Sequence, residues 1–211
     1  TLLPFISSSL MAQVTNSHPG DLLFAKQWYL KNQGQVITRN ISELERSYQK
    51  GIVGKDINWV NPLELEAKIP ENSEVIVAVI DSGLDINHPD LKNRIWYNAK
   101  LCKDLTNTKN QPCNGWNFIN NTNDLKDDVG HGTHVAGLIA ANQNKIGITG
   151  LAPKNVKIMP LKVIDAGVSG FVVNGKLFTD IVAEAMTFAI NNGASVINLS
   201  MGWPKVVDTF K

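Results

Sequence analysis

One stretch of this 211-residue chain carries a reactive side chain in a setting suited to proton transfer: Asp128-Val129-Gly130-His131-Gly132-Thr133-His134, followed by the apolar run Val135 to Ala141. A histidine between two glycines, just ahead of an apolar run, sits where a loop hands a side chain to a helix N-terminus. The glycines allow neighbouring backbone to approach closely, and an imidazole titrates near neutral pH, as a general base requires. Fifty residues upstream, Val75-Ile76-Val77-Ala78-Val79-Ile80 ends in Asp81-Ser82-Gly83, an apolar strand that delivers a carboxylate to a turn. Asp81 and His131 are therefore candidates for two members of an Asp/His/Ser triad, in which the carboxylate fixes the imidazole tautomer and the imidazole moves the serine's proton. His131 and His134 also have the spacing of a zinc pair, but no Glu stands where an HExxH motif needs it and the cysteines are distant. His134 reads as packing or hydrogen-bonding support, and His18 and His88 as surface or structural residues.

The elements around these residues read as an α/β chain. Val75 to Ile80 is apolar at every position, as in a parallel strand covered on both faces, and Asp81 falls at its carboxyl end, where open α/β sheets place their sites. Val156 to Ile164 is a second strand, with Pro160 pointing to a bulge or an edge. Asp180 to Asn192 is a helix capped by Thr179, with Ile181, Ala185, Met186, Ala189 and Ile190 near helical spacing and Gly193 ending it. Ala194 to Met201 is another buried strand. This alternation is the signature of a parallel sheet between helices. Earlier, Asp21 to Gly34 is amphipathic with Trp28, Tyr29 and Leu30 as anchors, Asn40 to Lys50 reads as a charged helix, and Leu63 to Ala67 as a short one. Trp96 to Asp128 is long, polar and irregular, with Trp116 and Phe118 as its core candidates. The run Asn120 to Asp128 is acidic and is either solvated or able to hold an ion.

Composition bounds the function classes. Apolar residues make up 43% and charged residues 18%, a globular balance. A formal charge of +1 gives no basis for binding nucleic acid or an anionic membrane. Cys102 and Cys113 flank a polar loop and are either two free thiols or one disulfide, the second suiting an exported protein. Residues 1–12 read as the end of a signal peptide's apolar core, too short to span a bilayer.

Three segments, Asp81-Ser82-Gly83, His131-Gly132-Thr133-His134-Val135-Ala136-Gly137 and Val196-Ile197-Asn198-Leu199-Ser200-Met201-Gly202, resemble successive signatures of the subtilisin-like serine proteases. Asp21 to Gly34 resembles the entry segment of the family's kexin-like branch. The resemblance implies a three-layer fold with a mainly parallel central sheet, incomplete at the C-terminus, and an endopeptidase acting on extended polypeptides. The family's Gly-Thr-Ser-Met-Ala segment, which carries the nucleophile, is absent, as is the later oxyanion Asn. Residues 13–211 are thus expected to be the N-terminal part of a peptidase domain whose serine lies beyond Lys211, inactive alone and belonging to an exported protein. Ser200 lacks the strained elbow of a nucleophile. The resemblance instead gives Ser200, Met201 and Gly202 to one wall of the substrate cleft and Ser169 and Gly170 to the other. It also implies a structural calcium site formed by Asp21, the side chains of Asp90 and Asn144, and the carbonyls of Asn142, Ile146 and Ile148. Two rivals stand beside it: an inactive homologue serving as a peptide-binding or regulatory module, and a metal-dependent hydrolase using His131 and His134.

Overall fold

The computed structural model describes residues 19–40, 46–70, 73–102, 111–166 and 172–202. The segment read as a signal-peptide remnant, and Ser169 and Gly170, lie outside these residues. In chain order the elements are β1 (Val36–Asn40), β2 (Arg46–Lys50), α1 (Pro62–Leu65), β3 (Val75–Asp81), β4 (Trp116–Asn117), α2 (His131–Ala140), β5 (Val156–Lys162), β6 (Val172–Val173), β7 (Lys176–Leu177), α3 (Phe178–Asn191) and β8 (Val196–Asn198).

Four of these strands form one sheet in the order β4-β5-β3-β8, with every pairing parallel. The apolar run of β3 is explained by what covers it. Successive side chains of a strand point to opposite faces. Val77 and Val79 pack with Val135, Ala136 and Ala140 of α2, whereas Ala78 and Ile80 pack with Ile181, Val182, Ala185 and Ala189 of α3. Each large aliphatic side chain buried in this way contributes about 1.5–3 kcal/mol. The same alternation aims Asp81, two residues after Val79, at the face that carries α2.

β5 runs beside β3 in one-to-one register from Val75↔Val156 to Asp81↔Lys162, so Pro160 causes no bulge on that side and β5 is not an edge strand. On its other side β5 meets only short pieces: the Ile95↔Ile158 bridge and then β4, which pairs from Leu161 onward. Ile158 donates to the Arg94 carbonyl. Pro160, two residues on, turns its missing donor into the gap between those pieces, where Gly115 packs against it. The proline expectation failed because the sheet has no continuous ladder at that position.

Three further readings change. In its described part, Asn40 and Arg46 to Lys50, the segment expected as a helix is strand: β1 and β2 pair antiparallel, Val36↔Lys50 through Asn40↔Arg46. The charges there lacked an apolar stripe to hold a helix on a core. α3 begins at Phe178, with Leu177 at its N-cap and no side-chain cap, so Thr179 lies inside the first turn. Ile190 is exposed and Val182 buried, because nine residues after Ile181 a helix is half a turn out of phase. The C-terminal signal held: Gly193 has φ 81°, its amide donates to Ile190 and that of Ala194 to Ala189, the two bonds of a Schellman cap. In the Asp21–Gly34 segment, Phe24 and Leu30 are the buried anchors, whereas Trp28 is 39% exposed. Within the long irregular stretch, Trp96, Phe118, Ile119 and Leu125 are buried, and Cys102 and Cys113 form a disulfide with Cα atoms 4.9 Å apart.

Candidate functional site

The end of β3 and the start of α2 meet at Asp81 and His131. Asp81 is fully buried, and its Oδ1 and Oδ2 lie 2.8 and 3.0 Å from His131 Nδ1. The Ser82 amide donates to the same Oδ1 at 2.7 Å. A carboxylate facing Nδ1 favours the tautomer with the proton on that nitrogen, leaving Nε2 as the acceptor. The His131 side chain is 48% exposed, so its outer edge is open to solvent. Gly132 allows this meeting: a Cβ there would press into the Gly83 carbonyl and lie 3.2 Å from Asp81 Cβ.

The turn into α2 is built around Asp127, which the sequence reading left among an acidic run. Its Oδ1 accepts from Ser82 Oγ at 2.8 Å and from the amide of Gly130 at 2.8 Å. Its Oδ2 accepts from Thr133 N and Oγ1 at 2.8 and 2.7 Å. Burial works to raise the Asp127 pKa, but the hydrogen bonds from Thr133, Ser82 and Gly130 outweigh it and hold the carboxyl below its ordinary value. Ser82 Oγ in turn accepts from the Gly132 amide at 2.9 Å. Gly130, at φ 83°, is the N-cap residue and has no side chain, so Asp127 supplies the oxygens that the helix N-terminus needs. A carboxylate three to four residues before an uncapped helix was the signal that would have identified it. The neighbouring acids are committed as well: Asp124 to the Lys126 amide, and Asp128 to Lys126 Nζ at 2.7 Å. Among the described residues, no group of three or more His, Cys, Asp or Glu is disposed to hold a metal. His134 is exposed on the outer side of α2.

Ser200, Met201 and Gly202 follow β8, which lies beside β3 in the sheet, so they emerge at the same end as Asp81. Ser200 is exposed, and its Oγ accepts from Asn198 Nδ2 at 2.9 Å. Among the described residues, no serine is hydrogen-bonded to His131; the ring's partner is Asp81.

A second cluster joins the N-terminal segment to the loop after α2. Buried Asp21 accepts from the amides of Asn144 and Lys145 through Oδ1, at 2.9 and 2.8 Å, and from Thr149 Oγ1 through Oδ2 at 2.7 Å. Gln27 locks the same loop, accepting from the Thr149 amide and donating to its carbonyl. Asp90 is 3% exposed, and its Oδ2 accepts from the Ile148 amide at 3.1 Å, while Oδ1 has no hydrogen-bond partner among the described residues. Burial raises the Asp90 pKa; the Ile148 and Asn144 hydrogen bonds oppose that, and nearby Asp21 adds to the rise. Gly147 and Thr149 use their carbonyls to hold Leu23 and Gln27. The carbonyls of Asn142, Ile146 and Ile148 accept nothing from the described residues. Hydrogen bonds thus link Asp21 to the amides of Asn144 and Lys145 and Asp90 to Asn142 and Ile148, while Asn144 Oδ1 accepts from the Ile146 amide. Carboxylate and carbonyl oxygens are the ligands a hard cation prefers.

Comparison with known proteins bears on the family of the chain. Residues 72–209 match the Subtilase family. The chain is 35% identical over 191 residues to the cell wall-associated protease of Bacillus subtilis (strain 168), covering 90% of this chain and 17% of that protein. It is 35% identical over 135 residues to thermitase of Thermoactinomyces vulgaris, covering 64% of this chain and 39% of that one. The crystal structure of the serine protease of Aeromonas sobria shares the fold, with a TM-score of 0.61 at 24% identity, covering 96% of this chain and 30% of that one. The chain therefore spans less than two fifths of the length of each of these relatives. Its fold, its parallel sheet and the match over most of its length lead to one conclusion: this chain belongs to the subtilase family.

Proposed function

We propose that the protein is a serine-type endopeptidase in which Asp81 and His131 are two members of the triad and the serine is supplied by sequence beyond Lys211. The observation that carries this reading is the contact between buried Asp81 and His131 Nδ1 at 2.8 Å, with the other edge of the ring open. In this role Nδ1–H donates to Asp81, and Nε2 takes the proton of the serine hydroxyl as its oxygen attacks the peptide carbonyl. His131 then returns that proton to the leaving amine. A water deprotonated by the same Nε2 releases the acyl group. Asp81 stabilises the imidazolium formed in each step.

The substrate is an extended polypeptide. Ser200, Met201 and Gly202 emerge beside the site, where main-chain pairing with a peptide would use strand addition, and Ser169 and Gly170 would form the facing wall. Asp90, Asn144 and the carbonyls of Asn142, Ile146 and Ile148, with Asp21 behind them, would hold a calcium ion. The ion would relieve the buried Asp90 oxygen and fix the loop after α2. Among the described residues no helix is long and apolar enough to cross a membrane; the protein is proposed to be exported, which suits the Cys102–Cys113 disulfide.

The test is to express residues 13–211 and the full open reading frame side by side and treat both with a fluorogenic peptide and a serine-directed phosphonate. The full product should cleave and be labelled, and D81N and H131A should each abolish cleavage. Cleavage at a comparable rate by residues 13–211, or labelling at Ser200, would refute the assignment.

A further inference from the structure

Lys162 is a buried cation that the mechanism above leaves unused. It ends β5 in register with Asp81 and on the same sheet face, since Ile158, four residues earlier, packs toward α2. Its side chain is 3% exposed. Burying an ammonium is costly unless its donors are met, and here they are met by the two segments that form the site. Nζ donates to the Ser82 carbonyl at 2.9 Å and to the Lys126 carbonyl at 2.7 Å. Asp165 Oδ1 lies 3.3 Å away and Asp128 Oδ2 3.8 Å away, and Asp128 is shared with Lys126. The first carbonyl belongs to the residue after Asp81; the second opens the turn Lys126–Gly130 that delivers His131.

We infer that Lys162 is a positioning residue that clamps the end of β3 to the turn before α2, thereby setting the Asp81–His131 contact. Asp127 ties the same two segments from the other side through Ser82 and Thr133. The two clamps differ in one respect: Asp127 gathers amides and hydroxyls, whereas Lys162 gathers carbonyls and brings a positive charge to a locality containing Asp81, Asp127, Asp128 and Asp165. Without the ammonium, the carbonyls of Ser82 and Lys126 lose their bridge, and on that side the Leu84 amide bond to the Leu125 carbonyl, 2.8 Å, is left to tie the two segments.

This inference rests on the triad reading, and the experiment separates the two. Lys162→Met keeps the length and apolar stem of the side chain, and Lys162→Arg keeps the charge with a different reach. Each is compared with Asp81→Asn in two readouts: kcat and KM of the full-length enzyme on a fluorogenic peptide, and the low-field NMR resonance of the His131 Nδ1 proton. In the wild type that resonance is expected, and in D81N it should vanish together with activity. K162M should lower kcat by about a hundredfold, the scale of a misplacement near 1 Å, leave KM within about twofold, and broaden or shift the resonance. K162R should recover part of both. If K162M does not fold, Asp165→Asn, which removes an ion-pair partner of Lys162 without touching the site, should produce a smaller change of the same kind. Loss of activity in D81N with unchanged kcat and resonance in K162M would overturn the inference and leave the triad standing. An unaffected D81N would overturn the triad.

Discussion

Replacing Gly132 by alanine adds one methyl group at the point where the candidate site is most crowded. The new Cβ would meet the Gly83 carbonyl oxygen well inside van der Waals contact, with Asp81 Cβ at 3.2 Å and Asp81 Oδ1 at 3.3 Å. The obstacle is backbone at the end of a buried strand, so no rotamer change removes it. Ordinary contact lies near 3.5 Å, and regaining it requires α2 to retreat by about 1 Å. His131 is the adjacent residue, and its 2.8 Å contact with Asp81 would open to about 3.8 Å, beyond hydrogen-bond range. Overpacking of this kind costs about 1–3 kcal/mol. For a domain of this size each kcal/mol lowers Tm by about 2–4 °C, so a fall of about 2–12 °C is expected. The assay is calorimetry on G132A beside two controls, with the His131 Nδ1 proton resonance followed by NMR. G202A should be silent, because no described residue comes within 4 Å of a Cβ placed on that glycine. G130A has open space but φ 83°, so it should lose about 1–2 kcal/mol through backbone strain alone. A G132A protein with wild-type Tm and an unchanged His131 Nδ1 proton resonance would refute the reasoning.

Chelation tests the loop after α2: with calcium at about a hundred times its Kd the native state gains about 2.7 kcal/mol, so excess EDTA should lower Tm by about 5–11 °C. Because burial raises the Asp90 pKa, protons compete with the ion and the chelator's effect should shrink toward acidic pH; an indifferent Tm at pH 7 speaks against the site. Asp127 has a depressed pKa, so its stabilisation is complete above the unfolded carboxyl value of about 3.9 and is lost as pH falls through the lower folded value. D127N should be less stable at neutral pH and lose less on acidification, whereas parallel urea-unfolding profiles for the two proteins between pH 7 and 2 would count against this. Removing the Cys102–Cys113 bridge, with a sequence separation of 11, should cost roughly 3 kcal/mol of unfolding free energy on the loop-entropy model, measured by denaturant titration of the double serine variant without reductant.

The parts of the fold that were legible in the sequence are those where one force dominates. β3 is apolar at every position because helices cover both its faces, and no other element suits such a run ending in Asp81-Ser82-Gly83. His131 between glycines was legible for a related reason, since close backbone approach at Gly132 admits no side chain. Errors arose where context decides. The chain Val172-Val173-Asn174-Gly175-Lys176-Leu177 contains an Asn-Gly pair, a strong short-range hairpin signal, but its strands are two residues each, too short to show an alternating pattern. Trp28 looked like an anchor by size, whereas buried Gln27 does more to hold the segment, through bonds to a residue 122 positions away that no local pattern reveals. Lys162 was invisible for the same reason: its two closest partners are backbone carbonyls, which every residue possesses.

The N-terminal segment carries a consequence for the order of assembly. Asp21 and Gln27 are fastened to Thr149, with Asp21 reaching across 128 positions of sequence. Asp21 therefore leaves the ribosome long before its acceptor site exists. Contacts closed over such spans are paid for in chain entropy before they return any stability. The loop after α2 can present its amides to Asp21 only once α2 has docked on the β3 face, and β3 itself gains its β5 partner only when Val156–Lys162 has been made. The earliest residues of the described chain are thus among the last to settle.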